Sequence, residues 1–281
     1  MKKNFLWVAA LATLALMGCE RLDFRDQKET VDVTFRVEGD FSAQKLTRAT
    51  GVRETTMTDL WVFDYVEGEL VQTIHQESVD EDFGVPTLPL SMGSHDLYFV
   101  CSAGGTPTLN TDAHKLTWAV PRDTFWKKLT KNISSNTEGT ATVTLDRITT
   151  RLTVNIEDAI PTGMAKLEIQ PSTWYYGLDY LTGNGTDTRS QAFTITIPAS
   201  YAGRTNTKVG IYGMALASEF TTNVTLTAKD GDDNLMATET ITAAPMQKNR
   251  STDYTGTLFL SQNGYTVNIN DEWEQAYEAS W

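Results

Sequence analysis

Of 281 residues, only two are cysteine and three are histidine. His75, His95 and His114 each lack a second histidine or a cysteine at ligand spacing, which excludes zinc centres of the finger or ribbon kind. Structural roles, at the surface or in the core, are expected for all three. Cys101 closes the apolar run Asp96-Leu97-Tyr98-Phe99-Val100-Cys101 and reads as a buried thiol, not a nucleophile. Basic charge is scarce, with 23 Lys and Arg against 36 Asp and Glu and a net charge of −13. That sign excludes nucleic acid and peripheral docking on anionic lipid, both of which need a basic surface. Enzyme signatures are missing too: there is no Gly-x-Ser-x-Gly elbow, no phosphate-cradling loop and no His-Glu-x-x-His. No enzymatic activity, cofactor or metal is expected. No apolar run reaches membrane-spanning length; the one at residues 5–17 is too short to cross a bilayer.

That short run is nevertheless informative. Met1-Lys2-Lys3-Asn4 supplies a positive start, residues 5–17 an apolar stretch, and Leu16-Met17-Gly18-Cys19 the ending. The Leu-x-Gly-Cys ending resembles the lipobox of bacterial lipoproteins, which implies that residues 1–18 are a signal peptide and that Cys19 is acylated. Buried acyl chains at about 0.8 kcal/mol per CH₂ would then hold the chain at an outer membrane. Without residues 1–18, 21 basic and 36 acidic residues leave −15 on 263 residues. With Cys19 acylated, Cys101 has no partner for an intramolecular disulfide.

Residues 19–30 are polar and charged and read as a tether. Alternation begins at once afterwards: Val31, Val33, Phe35 and Val37 share one face, Asp32, Thr34, Arg36 and Glu38 the other. Similar short runs recur at 60–66, 70–75, 97–101, 141–145, 152–156, 192–197, 208–215, 224–228, 235–241, 254–260 and 265–269. Turn signals such as Glu67-Gly68-Glu69, Gly183-Asn184-Gly185 and Asp230-Gly231-Asp232-Asp233-Asn234 separate them. Only residues 123–131 look helical, with Pro121 ahead and Phe125 and Leu129 spaced i, i+4. The pattern predicts an all-β protein of two tandem antiparallel sandwiches, residues 31–146 and 147–281. No repeat of fixed period is visible.

Three segments are candidates for recognition. From 265 to 281 the odd positions Tyr265, Val267, Ile269, Trp273, Tyr277 and Trp281 alternate with polar residues, longer than an ordinary strand. Such a segment fits a strand added to a neighbour's sheet, although Trp273, Tyr277 and Trp281 equally fit one helical face. Trp174-Tyr175-Tyr176 fits either a stacking platform for sugar rings or core packing. Asp230 to Asn234 is oxygen-rich like a calcium loop, but lacks EF-hand spacing and reads as a hairpin turn. The acidic run Asp80-Glu81-Asp82 reads as a solvated loop.

Several local patterns resemble fimbrillin-type fimbrial subunits of the Bacteroidota. Leu60-Trp61-Val62-Phe63-Asp64-Tyr65-Val66-Glu67-Gly68-Glu69-Leu70-Val71 is similar to that family's early hairpin. His95-Asp96-Leu97-Tyr98-Phe99-Val100-Cys101-Ser102-Ala103-Gly104 is similar to the strand that follows it. Val143-Thr144-Leu145-Asp146-Arg147 and Arg151-Leu152-Thr153-Val154 resemble the strands entering the second domain. Lys248-Asn249-Arg250-Ser251-Thr252 with Gly256 resembles a late Asn-Arg-x-Thr segment. The resemblance implies transthyretin-like sandwiches and a role in surface fimbriae and adhesion, with other fimbrial subunits and a host or bacterial surface ligand as partners. It also implies cleavage between Arg48 and Ala49, in Leu46-Thr47-Arg48-Ala49-Thr50, by an arginine-specific protease. Release of the first strand would open a groove for a neighbour's C-terminal strand; the alternative for Arg48 is an ordinary exposed loop position. An anchor or minor subunit of the FimB type keeps its lipid, whereas a FimA-like stalk subunit loses residues 19–48. A glycan-binding outer-membrane lipoprotein of a polysaccharide-uptake system is the alternative from another class.

Overall fold

The computed structural model describes residues 29–39, 57–260 and 266–270. The expectations for Cys19, Arg48, Ala49, Tyr265, Trp273, Tyr277 and Trp281 lie outside them. No α-helix occurs among the described residues, and no helix there is long and apolar enough to cross a membrane. The chain is all-β.

The first half contributes β1 (Thr30–Gly39), β2 (Asp59–Val66), β3 (Glu69–Glu77), β4 (Thr87–Ser91), β5 (Gly93–Ser102), β6 (Thr108–Asn110), β7 (Lys115–Thr117), β8 (Thr124–Ile133) and β9 (Thr140–Arg147). The second contributes β10 (Thr149–Ile156), β11 (Met164–Pro171), β12 (Trp174–Asp179), β13 (Asn184–Arg189), β14 (Phe193–Thr196) and β15 (Thr207–Met214). It ends with β16 (Phe220–Asp230), β17 (Leu235–Met246), β18 (Ser251–Gly256) and β19 (Thr266–Asn270).

Seven strands form one sheet in the order β3-β2-β5-β8-β9-β1-β4, but β8 and β9 pair only at Phe125↔Arg147 and Trp126↔Asp146. The sheet folds over at that corner. Val33 and Phe35 of β1, Leu88 and Leu90 of β4, Leu60 and Val62 of β2, and Leu97 and Phe99 of β5 therefore close on one core. Phe35 and Phe99 touch across it with ring centroids 5.3 Å apart. The second half packs the sheet β15-β10-β18-β19 against β14-β11-β16-β17 around Leu152, Val154, Leu167, Ile169, Trp174 and Leu226.

The two halves share one wiring. In each, the first strand (β1 or β10) lies between an antiparallel strand (β4 or β15) and a parallel strand from late in that half (β9 or β18). In each, a second sheet pairs its members antiparallel throughout, β3-β2-β5-β8 or β14-β11-β16-β17. Two hairpins fall outside this shared plan. β6-β7 is inserted between β5 and β8, β12-β13 between β11 and β14, and they join as the sheet β13-β12-β7-β6. This sheet covers the outer faces of β2 and β5, burying Phe63, Tyr65 and Val100 with Leu116, Trp118, Leu178 and Tyr180. Phe63 stacks on Tyr180 at 3.9 Å, and the Tyr65 hydroxyl lies 3.1 Å from that of Tyr180. Because β2 is buried on both faces, its sequence reads as a continuous apolar run instead of an alternation.

The helix expected at residues 123–131 is strand β8, paired with β5 along its length. Phe125 and Leu129 are four apart, which preserves side in a strand as well as in a helix. Exposed Lys128, Thr130 and Asn132 alternate with half-buried Leu129 and Lys131, and this period of two, with a partner strand beside it, decides for the strand.

Candidate functional site

β1 is an inserted strand, not an edge. Thr34–Gly39 pairs with β9 and Thr30–Thr34 with β4, and the backbone N–H groups of Phe35 and Val37 donate to Pro86 and Gly84 carbonyls. Val33 and Phe35 are fully buried. Taking β1 away would leave two strand edges unpaired and uncover Leu88, Leu90, Val143 and Leu145 in one slot.

β19 is the opposite case. It pairs only with β18, at the end of its sheet. The register sets Val267 across from Tyr254 and Ile269 across from Thr252, the core-facing row of β18. Yet Val267 is 52 % and Ile269 40 % exposed, so this row overhangs the second core instead of packing into it. Of the apolar positions that alternate from 265 onward, these two are thus placed on one open face. The segment leading to β19 is pinned by Asp158, whose carboxylate accepts the N–H groups of Leu258, Phe259 and Leu260 at 3.1, 2.6 and 2.9 Å. Asp158→Ala should cost about 2–4 kcal/mol, since charge-assisted hydrogen bonds contribute about 1.5–3 kcal/mol each and are not additive. Hydrogen exchange should then speed up first at residues 257–260.

The aromatic trio does not form a platform. Trp174 is fully buried, its indole N–H donating to the Tyr212 carbonyl at 2.8 Å, and Tyr176 is buried against Phe193. Trp174 presses on Gly213, where a Cβ would stand 2.6 Å from the indole. Tyr175 is half-buried, edge-on to Phe220. The sugar-stacking reading is corrected, because stacking needs rings with an open face.

The other polar candidates are structural. Asp230 accepts N–H groups from Asp232 and Asn234 and the Asn234 side-chain amide, so its carboxylate is committed to a turn. Asp80, Glu81 and Asp82 are exposed in a loop. His114 lies 3.0 Å from the Tyr65 hydroxyl under the bridging sheet.

One arrangement that the sequence did not reveal has the outline of a Ser-His-Asp triad. His95 Nδ1 lies 2.7 Å from Asp64 Oδ1, and Nε2 lies 3.3 Å from Ser91 Oγ. Nε2 is closer to the Ser91 carbonyl, at 2.8 Å, and a carbonyl only accepts. Nε2 is therefore protonated and has no lone pair to act as base for Ser91. His95 is 1 % exposed, so no substrate reaches it. The pair instead holds one proton between Nδ1 and Asp64, and burial pushes the Asp64 carboxyl above its ordinary range. With the folded pKa raised, the stability from this group is full below the unfolded value of 3.8 and is lost as pH rises through the folded value. Asp64→Asn, whose amide can donate to Nδ1, should keep the fold and flatten that part of the stability–pH curve, as read from urea midpoints at pH 3–7.

The model of a family of unknown function, DUF6562, matches residues 107–281. The chain belongs to this family. The DUF6562 match opens just before β6, so it takes in both inserted hairpins, the β8–β9 corner and the whole second half. No curated protein matches the chain. Among solved structures, a candidate adhesin from Bacteroides ovatus is similar at 12% identity and TM-score 0.50, over 81% of this chain and 87% of that one. A candidate polysaccharide-binding protein from Bacteroides thetaiotaomicron is similar at 10% identity and TM-score 0.51, over 86% and 96%. The tip fimbrial protein Mfa3 from Porphyromonas gingivalis follows at 12% identity and TM-score 0.47, over 87% and 99%. What the chain shares with the first two is the fold.

Proposed function

We propose that this DUF6562 chain is a non-enzymatic fimbrial subunit of the cell surface, an anchor or minor subunit that assembles by strand addition and supports adhesion. The observation that carries this reading is the position of β1, a strand between two partners that covers one slot of the first core. Leu46-Thr47-Arg48-Ala49-Thr50 follows it in sequence, ahead of β2. In the stalk alternative a cut after Arg48 frees β1 and empties the slot; the anchor keeps β1 and instead places its own alternating C-terminal segment in a neighbour's emptied slot, with main-chain hydrogen bonds and apolar side chains at every second position. Val267 and Ile269, on an open row of β19, are suited to be that segment's first anchors, with Tyr265, Trp273, Tyr277 and Trp281 extending it. The shared wiring of the halves supports two transthyretin-like domains, 31–146 and 147–281, and the fold held in common with a candidate adhesin agrees with a surface role. Cys19 would carry the lipid that anchors the chain to the outer membrane at the cell surface.

Mass spectrometry of the N-terminus from native membranes tests the subunit type. An acylated Cys19 on a full-length chain is the expected result; a soluble species starting at Ala49 would make it a stalk subunit instead.

A further inference from the structure

Asp59, His75 and Glu77 meet at the end of the β2–β3 ladder remote from its Glu67-Gly68 turn. Asp59 stands opposite Glu77, and Trp61 opposite His75, so all four side chains leave one face of the sheet. Asp59 Oδ1 lies 3.0 Å from His75 Nε2, and one ligand atom from each of Asp59, His75 and Glu77 falls within 4.8 Å of the others. Donors around a tetrahedral zinc ion, at about 2.0–2.1 Å from the metal, stand about 3.3 Å apart. Small side-chain rotations would therefore close the set. His75 is partly buried and Glu77 exposed, which gives an ion a way in.

Three further observations point to a cation. Asp59 is 2 % exposed; it pairs with His75, and Thr58 donates to its other oxygen at 2.7 Å. A carboxylate buried without a fixed counter-charge is costly, and a bound ion would neutralise it. Ser102 lies directly opposite Asp59 on the other flank, on β5, so its side chain enters the same row. It is 1 % exposed and its hydroxyl has no hydrogen-bond partner. Finally, the His75 ring is stacked on Trp61 at 3.8 Å with an 8° tilt, which fixes Nε2 in the direction of Asp59.

We propose that Asp59, His75 and Glu77 bind a divalent transition metal of the zinc class, with Ser102 Oγ or a water completing the shell. Two carboxylates and one imidazole suit zinc; calcium would ask for six to eight oxygens. The ion ties the first residue of β2 to the last of β3 and stabilises the fold in proportion to its occupancy.

Calorimetric titration of the chelator-stripped full chain with Zn²⁺ tests the site. One saturable equivalent is expected, weakened about tenfold or more by His75→Ala and by Glu77→Gln, and unaffected by equimolar Ca²⁺. Both positions are accessible, so circular dichroism should show these variants folded. Absence of saturable uptake, uptake unchanged in both variants, or displacement by equimolar Ca²⁺ would each overturn the assignment.

Discussion

Arg147→Ala should lower the stability of the folded chain by about 3–5 kcal/mol, the usual loss when one partner of a buried ion pair is removed. Arg147 Nε and one terminal nitrogen donate to the two oxygens of Asp123 at 2.9 and 3.1 Å, and Thr149 Oγ1 adds a third bond at 2.9 Å. Arg147 is 7 % and Asp123 2 % exposed, and the guanidinium lies over the Phe125 ring at 4.6 Å. Truncation strips the buried Asp123 carboxylate of the two guanidinium hydrogen bonds and of the charge that makes them. The position matters as much as the energy. Arg147 ends β9, Thr149 begins β10 and only Ile148 separates them, so the pair holds the crossing between the halves at the β8–β9 corner. Urea titration should show a lower midpoint at an unchanged slope. Arg147→Met combined with Asp123→Leu should lose far less than Arg147→Ala, because no charge is then stranded.

Phe35→Ala should cost about 3–5 kcal/mol, the range for removing a buried ring from a packed core. Phe35 is fully buried in β1 against Phe99 and cannot be replaced by water without leaving a cavity. Val267→Asp with Ile269→Asp should behave in the opposite way. Both side chains are exposed in the single chain, so its stability should move by less than about 0.5 kcal/mol per position. Assembly with partner subunits should nevertheless fail, since each Asp would put a charge into an apolar slot. Thermal melts of the isolated chain and co-purification with partner subunits separate the two effects. Loss of folding in the double variant would mean that the β19 row packs at home.

The sequence was most readable where strands have one wet face. β1 alternates cleanly because Asp32 and Arg36 face out while Val33 and Phe35 face in, and the structure places it within two residues of the expected limits. Residues 123–131 misled because i, i+4 spacing preserves side in both helix and strand, so the partner strand had to decide. The shared wiring of the halves left no trace as a sequence repeat: the inserted hairpins β6-β7 and β12-β13 offset the two halves, and the wiring constrains only which positions are apolar. Trp174-Tyr175-Tyr176 left stacking and core packing both open, because local pattern does not say which face β12 turns to a core; the structure packs Trp174 and Tyr176 into the second core. The polar clusters were hidden for a similar reason. His75 meets Asp59 across a hairpin, and His95 meets Asp64 across neighbouring strands, so linear ligand spacing shows neither.

Strand exchange is the central claim, and peptide capture tests it most directly. The full chain is cut after Arg48 and incubated with a labelled synthetic peptide of residues 265–281, following anisotropy and the mass of any released N-terminal segment. The account predicts that the cut chain binds the peptide as the β1 segment is released, that the uncut chain does not bind, and that a peptide carrying Val267→Asp and Ile269→Asp is not captured. Equal binding by cut and uncut chains, or no binding by either, would contradict it.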